Sequence, residues 1–548
     1  MQPLILPDMT PLFKTERGFI LTVLIALTTL SPVLFILVSG FDAEREIWVH
    51  LRQYVLPELV KNTVVLAAGV VTVTAVLGIS LAWLTAFYEF RGRQWMERLL
   101  LLPLAIPAYV MAFIYTGLLD FSGPVQTFAR AHLPGVLPFI PEIRSAWGVV
   151  MVISLAIFPY VFLMASSGFR SMGRSMTEAA QSMKAGRVFT LFHVAIPMAR
   201  PWIFGGLILV LMETLADFGA VSVFNYDTFT TGVYKAWYGF FSINAASQLA
   251  SILVVVVMAV FAAEFYFQRK QRFFNPGHHR PVQRIRLGKA GGAMAAAYCG
   301  LVFCLAFAVP VGQLAVWALS AFEAEMGAHY FRLVANTFAL GGMGTGLTMV
   351  VAVVLAYAGR TVTDVKTGAA AKLSLAGYAL PGTVLAVGMI NVIAWLDDSL
   401  VSSLGLLGVA VSPGMLKGSL MLLPLCYMIR FLTAGYNPVY GNMTRLTPSM
   451  DEAARLMKVS GAGLLAKVHL PLIRRGMITG SILVLVEIIK EMPVTLMLRP
   501  FGWDTLAVKI FELTSEGEWE RAALPALTLI AVGMIPIVLL TLVRKENT

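Results

Sequence analysis

Twelve apolar stretches of 18 or more residues recur along the chain, and this repetition constrains the fold more than any other feature. They lie near 18–40, 60–88, 99–119, 145–166, 202–222, 244–267, 290–318, 335–358, 373–396, 415–435, 477–497 and 522–543. A hydrocarbon core of roughly 30 Å takes about twenty helical residues to cross. Inside it every backbone N–H and C=O needs an internal partner, which helices supply without help from neighbours. Only 13% of the 548 residues are charged, against about a quarter in soluble domains. The mean hydropathy is +0.79. The expected fold class is an all-α polytopic membrane protein of about twelve spans. The first run is too long, and too polarly preceded, for a cleaved signal peptide, so it is counted as a span.

A net charge of +11 would suit a nucleic-acid partner if it were one patch. It is not. With the amino terminus in the cytosol and the spans alternating, 28 of the 41 Lys and Arg fall on inside segments. That is the positive-inside rule, and it predicts an inner-membrane protein with both termini cytoplasmic, a bilayer as partner and no nucleic acid. The richest run, "QRKQRFFNPGHHRPVQRIRLGK" at 268–289, is expected on the inside face near anionic lipid. His278 and His279 within it are read as solvated linker, so no metal site is assigned. Cys299, Cys304 and Cys426 all fall in apolar runs, without a disulfide framework or zinc spacing, and are read as small packing residues.

Shifting the sequence by 274 residues aligns its halves at widely spaced points. Asn62-Thr63 falls on Asn336-Thr337, and "AIPAYV" with Pro107 falls on "ALPGTV" with Pro381. Glu213 falls on Glu487, Asp217 on Glu491 and Lys235 on Lys509. The expected organisation is a first six-span repeat at 1–267, a basic linker at 268–289 and a second six-span repeat at 290–548. Six is even, so both copies enter from the same side and are parallel, related by a pseudo-twofold axis along the membrane normal.

One polar helix is written twice between the apolar runs: "EAAQSMKAGRVFTLFHVAIP" from Glu178 and "EAARLMKVSGAGLLAKVHLP" from Glu452. Ser175 and Ser449 stand three residues before each Glu, the spacing of a capping box. The Ala pairs leave a low surface that a partner can approach, and chain breakers follow at Gly186 and at Ser460-Gly461. Two interfacial helices that merely cap themselves would not need to keep Glu-Ala-Ala, Lys and Pro in register.

Glu-Ala-Ala followed nineteen residues later by Pro, before the penultimate span of a six-span unit, resembles the signature of ABC-importer permeases. The resemblance implies the type I ABC-importer permease fold. It implies that Glu178, Ala179, Ala180 and Pro197, with Glu452, Ala453, Ala454 and Pro471, form helices that dock into two cytoplasmic ATPase subunits. The family carries Gly six residues after the Glu, where this chain has Lys184 and Lys458. Lys is costly in a left-handed turn, so the bend is expected at Gly186 and Gly461, or the lysines add contacts to the ATPase. "ETLADFGAVSVFNYDTFTTGVYKAWYG" (213–239) and "EIIKEMPVTLMLRPFGWDTLAVKIFEL" (487–513) resemble the fused permeases of ferric-iron ABC importers. That likeness implies a periplasmic binding protein delivering the ion. No G-x-x-x-x-G-K-[ST] occurs, so the chain is not expected to be the nucleotide hydrolase, and ATP with Mg belongs on the partner ATPases.

Glu213 and Asp217 stand four residues apart, as do Glu487 and Glu491, so each pair is expected on one face of its span. Carboxylates at membrane depth face a bundle interior or water. Two arrangements are open: the four acids line a translocation path that favours a cation, or they pair with bases such as Lys490 and Arg430. "GGMGTG" at 341–346 is read as a close helix contact. Tyr226, Asp227 and the loops 223–242 and 499–520 are read either as contacts for a delivery protein or as interfacial anchors. The alternatives to ferric iron are thiamine or another small cation in the same transporter class. An ion-coupled secondary transporter also has twelve spans, but it does not call for the twin loops.

Overall fold

A computed structural model describes residues 15–40, 45–133, 135, 141–172, 186–270, 284–361, 365–406, 414, 416–459 and 462–543. Helices account for nearly all of it. The exception is a parallel pair of two-residue strands, Tyr88–Glu89 against Ile285–Arg286.

Among the described residues ten helices are long and apolar enough to cross a membrane, not twelve. The tenth and eleventh expected spans are present as helices, Leu422–Met443 and Arg474–Lys490. The first is interrupted by Arg430, Asn437 and Pro438, and the second is 17 residues long and bears Glu487 and Lys490. These two helices pack on each other. Polar residues lower the hydropathy of the first, and the second is too short to count by length.

The chain divides into two compact units, and each mixes the sequence repeats. One comprises Met1–Asp42 with Arg332–Thr505. In it the first span, Thr15–Ser39, packs on Val365–Ser374 and Gly382–Leu406. Gly388 makes this approach possible, because a Cβ there would lie 2.7 Å from the Pro32 carbonyl oxygen. Phe35 and Trp395 meet alongside with ring centroids 5.6 Å apart and planes tilted by 57°. Small residues let helix backbones approach where lipid supplies no hydrophobic drive. Gly341 and Gly344 of "GGMGTG" do the same toward the Arg474–Lys490 helix, where Cβ atoms would come within 3.0 Å of Leu485 and 2.8 Å of Ile488. Gly342 and Gly346 meet nothing within 4 Å.

The other unit comprises Ala43–Phe331 with Leu506–Thr548. Leu56–Phe87 packs on Ala146–Ser171, which packs on Ile196–Ala216. Val309–Glu325 lies along Trp519–Val543. Phe113 is held between Trp317 and Trp519, both centroids 6.4 Å away.

Candidate functional site

The repeated loop is described in its second copy. Glu178, Ala179, Ala180 and Lys184 lie outside the described residues, as does Gly461. In both copies a single π turn precedes the proline that the repeats share: Leu191–Ala195 before Pro197, and Leu465–His469 before Pro471. Proline has no N–H to donate and clashes with the carbonyl four residues back, and the wider turn gives it room.

The polar helix of the second loop is Pro448–Leu456. It starts earlier than the capping-box expectation, so Ser449 lies in the first turn, its hydroxyl 2.9 Å from that of Thr447. The Ala pair divides by face, Ala453 being exposed and Ala454 buried. Met450, Leu456 and Met457 are exposed with Glu452 and Ala453, and this makes a largely apolar outward surface.

Gly461, one of the two glycines expected to carry the bend, lies outside the described residues, and the described helix end bends before it. Lys458 itself takes the left-handed conformation, φ 63°. The Val459 N–H donates to the Ala454 carbonyl at 3.0 Å, the six-to-one bond of a Schellman cap with Lys458 at the position glycine favours. Gly186 has no left-handed φ and instead accepts from the Thr190 backbone at 2.9 Å.

Asp451, one residue before Glu452, fixes this helix from behind. Its Oδ1 lies 2.8 Å from His469 Nε2, and its Oδ2 accepts from Arg360 Nη2 at 2.9 Å. Arg360 Nη1 also donates to the carbonyls of Met443 (3.2 Å) and Leu446 (2.8 Å). Burial raises the Asp451 carboxyl, but the hydrogen bonds from His469 and Arg360 outweigh it and leave the group below its ordinary value. The sequence offered one signal for this cluster: the equivalent positions in the first repeat are Ala86, Thr177 and Ala195.

The membrane carboxylates are arranged otherwise than their spacing predicted. Ile196–Ala216 ends before Asp217, and Arg474–Lys490 ends before Glu491, both acids having extended backbone with ψ of 127° and 115°. Glu213 and Glu487 therefore sit on helices, while Asp217 and Glu491 mark the breaks that follow them. Each break is stabilised by its acid. Val221 N–H donates to Asp217 Oδ1 at 3.1 Å, at the short helix Gly219–Val223. Val494 N–H donates to Glu491 Oε1 at 3.1 Å, at Pro493–Leu498. Thr230 and Thr495 hydroxyls donate to the backbone carbonyls of the two acids. Interrupted helices of this kind are tolerated at membrane depth where protein or a cavity surrounds them.

In the second repeat both acids meet bases. Arg430 Nη1 donates to Glu491 Oε1 at 3.2 Å, and Lys490 Nζ donates to Glu487 at 3.2 Å. The Glu491 side chain is 5% exposed and that of Glu487 is 44% exposed. Gly382 leaves the space for the first pair, since a Cβ there would lie 2.2 Å from Arg430 Nη1. Among the described residues no group of three or more His, Cys, Asp or Glu side chains could hold a metal ion.

The alignment points Asn62 and Asn336 do equivalent work. Asn62 Nδ2 donates to the Asp227 carbonyl at 3.0 Å, and Asn336 Nδ2 to those of Gly502 and Asp504, both at 3.2 Å. Lys235 and Lys509 are not equivalent. The following helices are Phe229–Tyr238 and Leu506–Ser515, so the second is displaced by three residues, about one turn, from the 274 register. The extra residues are taken up in the turn at Gly502, φ 82°. Tyr226 hydroxyl donates to the Asn62 carbonyl (3.3 Å) and Asp227 pairs with Lys235 (2.6 Å), whereas Phe501 and Phe241 are the most exposed of the two loops' aromatics, with Tyr238 and Phe240 also exposed.

Residues 74–272 match the family model described as "Binding-protein-dependent transport system inner membrane component". The chain is 24% identical over 531 residues to the Fe(3+)-transport system permease protein FbpB 2 of Haemophilus influenzae, covering 95% of this chain and 97% of that protein. It is 21% identical to the ferric transport system permease protein FbpB of Actinobacillus pleuropneumoniae, covering 88% and 71%. A probable molybdenum ABC transporter permease protein of Haloferax volcanii is 29% identical over 199 residues, 36% of this chain and 70% of that protein.

Proposed function

This chain is a fused ABC-transporter permease, a multi-pass inner-membrane protein, and from that premise we propose that its cargo is ferric iron. The observation that carries the proposal is coverage. The ferric permease of Haemophilus influenzae aligns with this chain from end to end, both repeats included, whereas the molybdenum relative matches little more than a third of it.

In this reading a periplasmic binding protein delivers the ion to the outer face. Two ATPase subunits bind the Glu-Ala-Ala loops on the inner face, where both termini also lie. ATP binding is favourable in one arrangement of the ATPase dimer only, and the loops pass that preference to the spans. Hydrolysis, with its ATP and Mg, belongs to the ATPases, and this chain carries no cofactor. Glu213, Asp217, Glu487 and Glu491 border the path. Those of the second repeat are neutralised by Arg430 and Lys490, so a cation passing there meets paired rather than bare carboxylates. Transit needs binding weak enough to release.

Uptake of radiolabelled ferric iron, molybdate and thiamine in cells with and without the gene tests the cargo. Loss of iron uptake alone supports the proposal, and loss of either other cargo with iron uptake intact removes it. Changing Glu213 and Glu487 together to Gln tests the path; unchanged uptake at normal assembly excludes both from it.

A further inference from the structure

The side chains that hold the second Glu-Ala-Ala loop have no like residues at the equivalent positions of the first. In the second repeat, two side chains from separate elements, Arg360 and His469, close on Asp451. Arg360 is in the last turn of Ala328–Thr361, the eighth span. The same guanidinium reaches the carbonyls at the end of Leu422–Met443, the tenth. His469, 1% exposed, ends the π turn that leads to the eleventh. One carboxylate thus ties the loop helix to the ends of three spans, while Met450, Leu456 and Met457 face outward from the same helix.

Nothing of this can form in the first repeat, where Ala86, Thr177 and Ala195 hold the equivalent positions. The first repeat has its own charge cluster, placed elsewhere. Buried Arg93 bonds to Glu89 (3.0 Å) and Glu97 (3.1 Å), and Glu97 meets Arg170 at 2.5 Å. Its counterparts in the second repeat are Thr363, Thr367, Ala371 and Thr444, so that cluster in turn has no second copy. Among the described residues it binds the Arg93–Leu99 helix to the end of Ala146–Ser171.

We infer that Asp451 is a positioning residue that locks the second coupling helix to its spans, making the second loop the stiff transmitter of the ATPase stroke and the two loops inequivalent. A side-chain carboxylate bonded on both oxygens to a buried imidazole and a guanidinium cannot let go without leaving charge uncompensated. The loop helix and the span ends therefore move as one body. The left-handed Lys458 ends the helix sharply and keeps the outward face short. The inference rests on the proposed docking of these loops to ATPases.

The test uses the complete transporter, with its ATPase subunits and iron-loaded binding protein, in proteoliposomes. Asp451→Asn keeps the shape and removes the charge. It is expected to assemble and to lower the stimulation of ATP hydrolysis by loaded binding protein by about tenfold, the factor for one hydrogen bond to a charged group. Asp451→Glu is expected to restore the stimulation, and Thr177→Asn in the first loop to leave it unchanged. Full stimulation in Asp451→Asn, or an equal loss in Thr177→Asn, overturns the inference. If Asp451→Asn fails to assemble, Asp451→Glu decides: assembly with stimulation supports the inference, and assembly without it overturns it. If the unmodified complex is not stimulated by iron-loaded binding protein, it is the iron importer reading that fails.

Discussion

Arg430 and Glu491 meet at 3.2 Å in the space that Gly382 leaves by having no side chain. At the equivalent positions of the first repeat stand Ala156, Asp217 and Ala108. The arginine and the glycine occur together or not at all. In the repeat without them the acid is satisfied by backbone, through Val221.

Gly382→Ala is expected to break the pair. The new Cβ would lie 2.2 Å from Arg430 and 2.8 Å from Glu491, and neither can yield without losing the other. Separating a buried pair costs about 3–5 kcal/mol. Thermal unfolding followed by size-exclusion fluorescence in detergent should show a clear loss of folded protein. Ala108→Gly in the first repeat should cost only about 0.5–1 kcal/mol.

Arg430→Met and Glu491→Gln should each destabilise by about 3–5 kcal/mol, whereas the double variant should fall close to the unmodified protein. A double-mutant cycle on unfolding measures the coupling directly. Additive losses would mean that the two side chains act independently.

Lys458→Gly should stabilise the end of the loop helix. A left-handed non-glycine residue costs about 1–2 kcal/mol, so backbone amides at Met457 and Val459 should exchange about fivefold to thirtyfold more slowly with solvent deuterium. Lys458→Val should move exchange the other way. Unchanged rates in both would show that Lys458 carries no strain.

Asp451 gives a pH dependence whose sign follows from its lowered carboxyl. A group lowered in the folded state adds stability above its unfolded value, and that stability is lost as pH falls through the folded one. The contacts to His469 and Arg360 should hold through neutral pH and down past the ordinary aspartate value of about 3.9. They should release only below it. Hydrogen exchange of Asp451–Leu456, corrected for intrinsic rates, should accelerate in that acid range in the unmodified protein and not in Asp451→Asn. Release already at about pH 6 would contradict the assignment.

Much of this was legible in the chain because the duplication marks what both copies need. Asn62 and Asn336 hold matching turns, and the helices Ala108–Leu119 and Gly382–Leu406 both begin directly after the aligned prolines. Hydropathy could not show that the spans stop at Asp217 and Glu491, because a carboxylate that caps a short helix leaves the apolar run unbroken in sequence. Nor could composition place Lys458 in the left-handed position of its helix's own cap, where glycine is the usual choice. The Lys235–Lys509 match misled because a three-residue slip of a helix keeps similar residues on nearly the same face. Arg360 and His469 escaped notice because a repeat search rewards likeness, and they are where the copies differ.

The packing of Thr15–Ser39 on Val365–Ser374 and Gly382–Leu406 has a consequence for biogenesis. At about 5–20 residues per second of synthesis, the first span leaves the ribosome some tens of seconds before the surfaces that will cover it exist. It must wait in lipid as a lone helix, with Gly388 not yet made to receive Pro32. A gene cut at the linker should therefore yield fragments that mature only when made in the same cell, each lending the other a missing wall.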